Sequence, residues 1–251
     1  MQQRPDHYVN VKSLISQLYH QHKGRYGYRR IHLALKTLGH WINHKTVQKL
    51  MNQLGLKSIV RPKRYKSYRG NVGRVAPNHL SRAFQTDRPN EKWATDVTEF
   101  NVRGEKLYLS PILDLYNQEI VSYQLAESPR LDVVLKMLNS AIHRLSPHEQ
   151  PMLHSDQGWQ YQMAAYQQQL QQRGITQSMS RKGNCLDNAV MENFFGILKT
   201  EFFYRNKFES VESLKRGLKE YIHYYNHDRI KQKLKGLSPV NYRTQSFPLT
   251  T

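Results

Sequence analysis

The stretch KWATDVTEFNV, residues 92–102, marks the point where the 251-residue chain changes from helical to strand-like patterning. Two more strand-like segments follow, KLYLSPILDL at 106–115 and QEIVSYQLA at 118–126. The letters RGE between the first two segments are typical of a hairpin turn. We therefore expect three consecutive strands to begin this part of the chain.

Beyond these strands, helical and strand patterns alternate. They predict a helix near 131–145, a strand at PMLHS (151–155), a helix near 160–173, a strand at ITQSMS (175–180) and a helix near 186–199. The order β-β-β-α-β-α-β-α predicts an α/β fold, a mixed sheet with helices packed against it. Such an order suits an RNase H-like core. A last amphipathic helix near 211–225 and a basic tail follow it.

The first third of the chain has a helical period. Apolar residues at helical spacing predict helices near 8–22, 28–38 and 45–54, and Asn43 can cap the third. The last two, joined by a short glycine-containing turn, indicate a helix-turn-helix. Its second helix would present Lys45, Gln48 and Lys49 to DNA. The alternative is an ordinary small helical domain with a polar face.

Charge is concentrated at the N-terminal end. Residues 1–90 hold 18 Lys and Arg against two acids, whereas residues 91–251 hold 20 against 17. Such a basic segment favours a polyanion, above all nucleic acid, because neutralised phosphates release counterions. An anionic membrane surface and a merely solvated basic tail are the alternatives. The sequence has no long apolar run to support a membrane.

A basic linker is expected between the two patterned regions. Residues 57–74 contain no acid, and Tyr65 and Tyr68 alternate with the charges. We predict that the linker follows DNA phosphates, the alternative being a solvated linker. Its basic residues include Arg61, Lys63, Arg64 and Lys66. The predicted domains are a helix-turn-helix-like domain (1–56), the linker (57–90), the RNase H-like core (91–205) and a C-terminal helix with a basic tail (206–251).

Cysteine usage and the N-terminus predict the compartment. Cys185 is the single cysteine, so no internal disulfide framework can form. Polar residues follow Met1 and give no signal peptide. We expect a cytoplasmic, nucleoid-associated protein.

Three carboxylates stand out as candidate metal ligands. Asp96 lies mid-way along the first predicted strand, Asp156 ends the strand PMLHS, and Glu192 lies in the last core helix. An acid within an apolar strand is costly to bury without compensation. At about 100° per residue, Glu192 falls with Asn188 and Lys199 on a polar stripe, opposite Val190, Phe194 and Ile197. A helix cap at Asp156 and a solvated face at Glu192 are the alternatives.

These acids belong to motifs that resemble a known family. Trp93-x-Thr95-Asp96, then LHSDQGWQY (153–161), then GNCLDNAVMENFFGILKTE (183–201), with 35 residues between Asp156 and Glu192, resemble the D-D-35-E transposases of bacterial insertion sequences. Those enzymes are relatives of retroviral integrases. The closing YYNHDRIKQKLKGLSPVNYR (224–243) is similar to the C-terminal signature of the OrfB-type product. The resemblance runs from about residue 25 to 243.

The resemblance implies an activity and roles for particular residues. It implies metal-dependent DNA strand cleavage and 3′-hydroxyl strand transfer, with Asp96, Asp156 and Glu192 as ligands of two Mg²⁺ (or Mn²⁺) ions. Lys199 matches the basic residue that contacts element-end DNA. The segment 24–56, which includes Arg29 and Arg30, resembles the family's helix-turn-helix. The implied partners are the terminal repeats, target DNA and other copies of the chain on DNA, with no membrane.

The chain departs from the family in one respect. The full transposase is usually a frameshift fusion whose leading part carries another helix-turn-helix and a leucine zipper. This chain begins shortly before GRYGYRR (24–30), so we expect end recognition and multimerisation to involve a leading-frame protein. A nuclease that stops at hydrolysis and a DNA-binding regulator that does not cut remain alternatives, and joined products would exclude both.

Overall fold

The computed structural model describes residues 6–59, 75–181 and 185–246. The predicted linker residues Arg61, Lys63, Arg64 and Lys66 lie outside these ranges. The helices are α1 (Val9–Gln21), α2 (Tyr28–Thr37), α3 (His44–Gln53), α4 (Leu131–Ile142), α5 (Ala164–Gln172), α6 (Ala189–Glu201), α7 (Val211–His227) and α8 (Pro239–Ser246). The strands are β1 (Lys92–Thr95), β2 (Thr98–Val102), β3 (Glu105–Asp114), β4 (Ile120–Ala126), β5 (Met152–Ser155) and β6 (Thr176–Met179).

The six strands form one mixed sheet. Strand β3 pairs antiparallel with β1, β2 and β4, whereas β5 runs parallel to both β1 and β6. The pairs Thr95↔Ile112 and Thr98↔Leu109 belong to one register, so β1 and β2 follow each other along the same edge of β3. Strand β1 is therefore central, between β3 and β5.

The first predicted strand is divided, and this corrects the expectation for Asp96. Asp96 does not lie within a strand but directly after β1, in a two-residue break before β2. The backbone N–H of Val97 donates to Asp96 Oδ1 at 2.7 Å. This side-chain bond satisfies the amide locally, and the strand ladder is interrupted at the acid.

Helices cover both faces of the sheet. On one face, α4 and α5 bury a cluster around Trp93, Ile112 and Leu153. On the other face, α6 and α7 bury a cluster around Ala94 and Leu109. Trp93 and Ala94 are consecutive residues of β1 and enter opposite layers, as the alternation of a strand requires. The centre of β1 is thus fixed from both sides.

The last core helix starts later than predicted. Residues Cys185–Asn188 form a 3-10 turn in which Leu186 is exposed, and α6 begins at Ala189. The buried stripe consists of Met191, Phe194, Phe195 and Leu198, so of the predicted stripe only Phe194 is fully buried. The C-terminal tail also contains α8, which the sequence patterns did not predict. Among the described residues, no helix has the length and apolar content that crossing a membrane requires.

The N-terminal helices form a small domain with its own core. Helices α1 to α3 bury Ile15, Ile31 and Leu50 together. The predicted cap of α3 is present, since Asn43 Oδ1 accepts from the backbone N–H of Lys45 at 2.8 Å. The predicted helices near 28–38 and 45–54 correspond to α2 and α3 within a residue or two.

The helical domain docks on the C-terminal part of the chain through the GRYGYRR segment. The Arg25 guanidinium lies 4.4 Å from the ring centre of Tyr224 on α7. The Tyr26 hydroxyl donates to the Asp228 carbonyl at 2.9 Å and accepts from the Ile230 N–H at 3.1 Å. Residues of this segment therefore have a structural role besides any contact with DNA.

Candidate active site

Asp96 and Asp156 lie side by side at the carboxyl ends of two neighbouring parallel strands. The register pairs Trp93 with Leu153 and Ala94 with His154, and two further steps along each strand reach Asp96 and Asp156. Neighbouring strands are about 4.8 Å apart, so the two acids begin from adjacent backbone positions. The strand order thus brings together two residues that are 60 positions apart in the sequence.

The loop after β5 orients Asp156. The backbone N–H of Gly158 donates to Asp156 Oδ1 at 2.8 Å. A Cβ at position 158 would come within 2.9 Å of the same oxygen, so a larger residue would displace the carboxylate. The glycine in LHSDQGWQY therefore allows the close turn that holds this acid.

Burial makes this pair of acids electrostatically costly. Asp96 is 7% exposed, and burial raises its pKa well above the usual range, with the negative charge of Asp156 raising it further. Burial also raises the pKa of Asp156, against the hydrogen bond from Gly158. Neighbouring carboxylates whose pKa values are both raised by burial are characteristic of a functional site.

Helix α6 brings Glu192 and Lys199 to the same region. The charge of Glu192 raises the pKa of Asp96, and the charge of Lys199 lowers it, so both groups act on the buried acid. Burial lowers the pKa of Lys199 itself, and its Nζ lies 5.3 Å from the ring centre of Phe100. The polar stripe predicted for this helix thus faces the end of β1.

An ion cluster around the buried Asp187 fixes the start of α6. Asp187 accepts from Arg181 and Arg82 at 2.9 Å and from the Asn78 amide at 2.9 Å. The hydrogen bonds from Arg181 hold the pKa of Asp187 well below its usual range. The neighbouring Asn188 amide donates to the Thr95 carbonyl at 3.5 Å, which ties this turn to β1.

The donor set fits a divalent metal ion in its chemistry. Carboxylate oxygens are the protein ligands that Mg²⁺ and Mn²⁺ prefer. The close pair is Asp96 and Asp156, whereas within the described ranges no three His, Cys, Asp or Glu side chains are grouped so that they could hold one ion. Glu192 therefore contributes its charge here without joining the other two acids in a common ligand shell.

Tyr161 is a residue near the acids that the sequence analysis did not single out. Its side chain is fully buried, and burial raises the pKa of its hydroxyl well above the usual range, with the charges of Asp96 and Asp156 raising it further. The signal was its position within LHSDQGWQY, five residues after Asp156. A tyrosine in an apolar helical pattern is ordinarily a core residue, so spacing alone did not distinguish it.

The residues predicted to bind DNA have different surroundings. Lys45, Gln48 and Lys49 are exposed on α3. Arg29 is exposed on α2, whereas Arg30 Nη1 lies 3.4 Å from Glu201 Oε1 at the end of α6. Arg30 is thus partly engaged within the protein.

Comparison with known sequences identifies the family. Residues 86–185 and 192–247 match families described as integrase core domain, and residues 9–64 match an HTH-like domain. The chain is 58% identical to the InsK protein of insertion sequence element IS150 of Escherichia coli, over 97% of this chain and 86% of that protein. It is 33% identical to the transposase of insertion sequence element IS904 of Lactococcus lactis, over 96% of this chain and 98% of that protein.

The chain belongs to the insertion-sequence transposases that carry an integrase core domain. Solved structures support the same fold. The HTLV-2 integrase catalytic core domain in complex with magnesium superposes with a TM-score of 0.50 at 16% identity, covering 62% of this chain and 97% of that one. The predicted α/β fold, with an RNase H-like core and an N-terminal helical domain, is thereby confirmed.

Proposed function

We propose that this transposase cleaves DNA at the ends of an insertion sequence and joins the exposed 3′-hydroxyl to another phosphodiester. The observation that carries the proposal is the pair formed by buried Asp96 and partly buried Asp156 at the carboxyl ends of β1 and β5. Two adjacent acids removed from water are costly to a scaffold, whereas a bound cation stabilises them.

In this proposal Asp96, Asp156 and Glu192 hold two divalent metal ions, Mg²⁺ or Mn²⁺. Bound metal ions lower the pKa of the attacking water or hydroxyl and stabilise the leaving oxygen. The Gly158 N–H orients Asp156, and the Asp187 cluster sets the position from which α6 presents Glu192. Because the three acids do not form one metal-binding group in this structure, the proposal requires the Glu192 side chain to approach the other two when metal and DNA bind.

Lys199 and the basic surfaces are proposed to hold the DNA. Lys199 lies close enough to Asp96 to affect its pKa, so it would meet a phosphate beside the acids. Exposed Lys45, Gln48 and Lys49 on α3 are proposed to enter a groove, and Arg29 and Arg30 on α2 are proposed to contact DNA as well. The linker residues Arg61, Lys63, Arg64 and Lys66 are proposed to contact phosphates without reading sequence.

The proposed partners are the element's terminal repeats, the target DNA, further copies of the chain on DNA and a leading-frame protein. The family's chemistry requires access to the chromosome, so we propose a cytoplasmic location associated with the nucleoid. No covalent protein intermediate is needed, since the attacking group is a hydroxyl.

Strand joining is the experiment that tests the proposal. Protein and Mg²⁺ are incubated with labelled DNA that carries the ends flanking this gene, with a chelator and Asp156→Asn as controls. The proposal predicts joined strands that require both metal and Asp156. Cleavage without joining would support a nuclease. Binding without any product, even after the leading-frame protein is added, would support a regulator and contradict the proposal.

A further inference from the structure

A basic cleft lies between the helical domain and the C-terminal segment. It has a volume of about 410 Å³, within the range of roughly 300–1,000 Å³ that is usual for ligand sites. We call it the basic cleft and define it by its five cationic lining residues. They are Arg29, Arg30, Arg229, Lys231 and Lys233.

The basic cleft does not include the acid pair. Gln118 also lines it and follows β3, and the nearby Leu115 N–H donates to the carbonyl of Lys92 at the beginning of β1. Asp96 follows the other end of β1, four residues away, which corresponds to roughly 13 Å at about 3.3 Å per residue. Ile197, which also lines the cleft, lies on α6 between Glu192 and Lys199, so this helix connects the cleft with the acid pair.

The positive charge of the cleft residues exceeds the negative charge of the acids near them. Glu201 pairs with Arg229 at 2.7 Å and with Arg30 at 3.4 Å, so one carboxylate serves two guanidinium groups. No acid is among the residues described as lining the cleft. The first turn of α2, which lines it, has neither an acid nor a capping side chain, so its N-terminal dipole adds to the positive potential.

Lys231 is a buried cation of the cleft whose hydrogen-bond partners are neutral. It is 8% exposed, and its Nζ donates to two neutral acceptors, Gln118 Oε1 at 2.8 Å and the Tyr225 hydroxyl at 2.6 Å. Burial lowers the pKa of Lys231 well below its usual range, and the charges of Arg229 and Arg30 lower it further, whereas the charge of Glu201 raises it. An anion bound in the cleft would favour the ammonium form of Lys231 against these neighbouring cations.

We propose that the basic cleft binds the phosphodiester backbone of DNA, as a second DNA-contact site besides the acid pair. The inference rests on the proposed function, because it takes DNA as the polyanion. Guanidinium groups and an ammonium donate hydrogen bonds to phosphate oxygens. Because lysines and arginines line two sides of an open cleft, we expect a continuous DNA strand to bind there better than a single small ion. Contacts of this kind fix the position of the duplex and read no sequence.

Lysine footprinting of the whole wild-type chain tests this directly. The exposed Lys233 lines the cleft, and the exposed Lys219 on α7 does not, so the two give a matched comparison. The protein is acetylated alone, with a duplex of arbitrary sequence, and with inorganic phosphate at the same phosphate concentration. The proposal predicts that the duplex reduces acetylation of Lys233 several-fold more than that of Lys219, and that inorganic phosphate does not. Equal protection by inorganic phosphate, or no preferential protection, would overturn it.

A charge variant gives a second, independent measurement. Lys233→Glu should flatten the salt dependence of duplex binding by a slope of about one or more, while Lys219→Glu, with the same change in net charge, should leave it nearly unchanged. Equal slopes for the two variants would contradict the proposal. Strand joining by the same wild-type preparation separates the two claims: joining without protection of Lys233 refutes the cleft alone, and protection without joining refutes the proposed chemistry alone.

Discussion

Two regions of the molecule bury charges of opposite sign. At the carboxyl end of β1, Asp96 lies beside Asp156, and burial shifts its pKa upward. In the basic cleft, Lys231 lies near Arg229 and Arg30, and burial shifts its pKa downward. Both shifts favour the neutral form, because burial and a neighbouring charge of the same sign act together at each site. We interpret the first as a site for cations and the second as a site for phosphates.

A third buried charge shows what a structural ion pair looks like in the same molecule. Burial raises the pKa of Glu201, but two hydrogen bonds from Arg229, at 2.7 and 2.8 Å, bring it below its usual value. Here each charge has its partner within the protein. The contrast shows that the burial of a charged group does not by itself identify a function. A buried charged group that has no ion-pair partner in the protein points to a ligand.

The largest expected effect concerns Glu192, the proposed ligand that the structure does not group with Asp96 and Asp156. Glu192→Gln should reduce strand joining about 10⁴-fold or more while leaving DNA binding within a factor of two, since one member of a catalytic unit is lost. Denaturing gels and a binding titration measure the two quantities. Glu220→Gln, an exposed change on α7, is the control. Full joining by Glu192→Gln would remove this residue from the site.

Removing the carboxylate of Glu201 tests the structural ion pair in this comparison. Glu201→Gln leaves Arg229 buried without its partner, so the free energy of unfolding should fall by about 3–5 kcal/mol. Urea unfolding measures this, with the exposed Glu209→Gln as control. If Glu201→Gln were as stable as the wild type, the distinction between a compensated pair and a ligand site would lose its basis.

The basic linker should contribute to DNA binding but not to the positions of the acid pair and the basic cleft. Changing Lys63, Arg64 and Lys66 to Gln should flatten the salt dependence of DNA binding by a slope of roughly two to three. The matched control removes three exposed charges elsewhere, as Lys207→Gln, Arg216→Gln and Lys219→Gln. An equal loss of slope in both triple variants would mean that net charge alone matters.

The smallest expected effect is a gain in the free energy of unfolding when Asp96 is replaced by a neutral residue. When the pKa of a carboxyl is higher in the folded than in the unfolded chain, the protein loses stability as the pH rises through the folded pKa. Asp96→Asn should therefore raise the free energy of unfolding by about 1 kcal/mol or more at pH 8 in metal-free buffer. The half-exposed Asp132→Asn should change it by less than about 0.5 kcal/mol. A loss of stability in Asp96→Asn would contradict the electrostatic interpretation.

The sequence predicted the elements better than their junctions. Strand alternation and helical stripes are local patterns, so the order of strands and helices could be read from them. The break at Asp96 could not, because it depends on the Val97 N–H turning to the carboxylate. Helix α8 was missed since Pro239 is its single buried residue and leaves no apolar stripe.

Long-range contacts explain what else could not be predicted. Asp96 and Asp156 were predictable as neighbours because parallel strands end at the same edge of a sheet. The basic cleft combines α2, the turn after β3 and the segment near Lys231, which are distant in sequence and share no spacing. Likewise Arg30, predicted to bind DNA, is partly engaged by Glu201 across the domain contact.

Binding of Mn²⁺ tests the central claim most directly, because the acid pair is a functional site of the proposed kind only if it binds a divalent cation. Free Mn²⁺ is measured by electron paramagnetic resonance during titration of the wild type, Asp156→Asn and Asp132→Asn without DNA. We predict equal binding by the wild type and Asp132→Asn, and binding at least about tenfold weaker by Asp156→Asn. Equal binding by all three proteins would contradict the account.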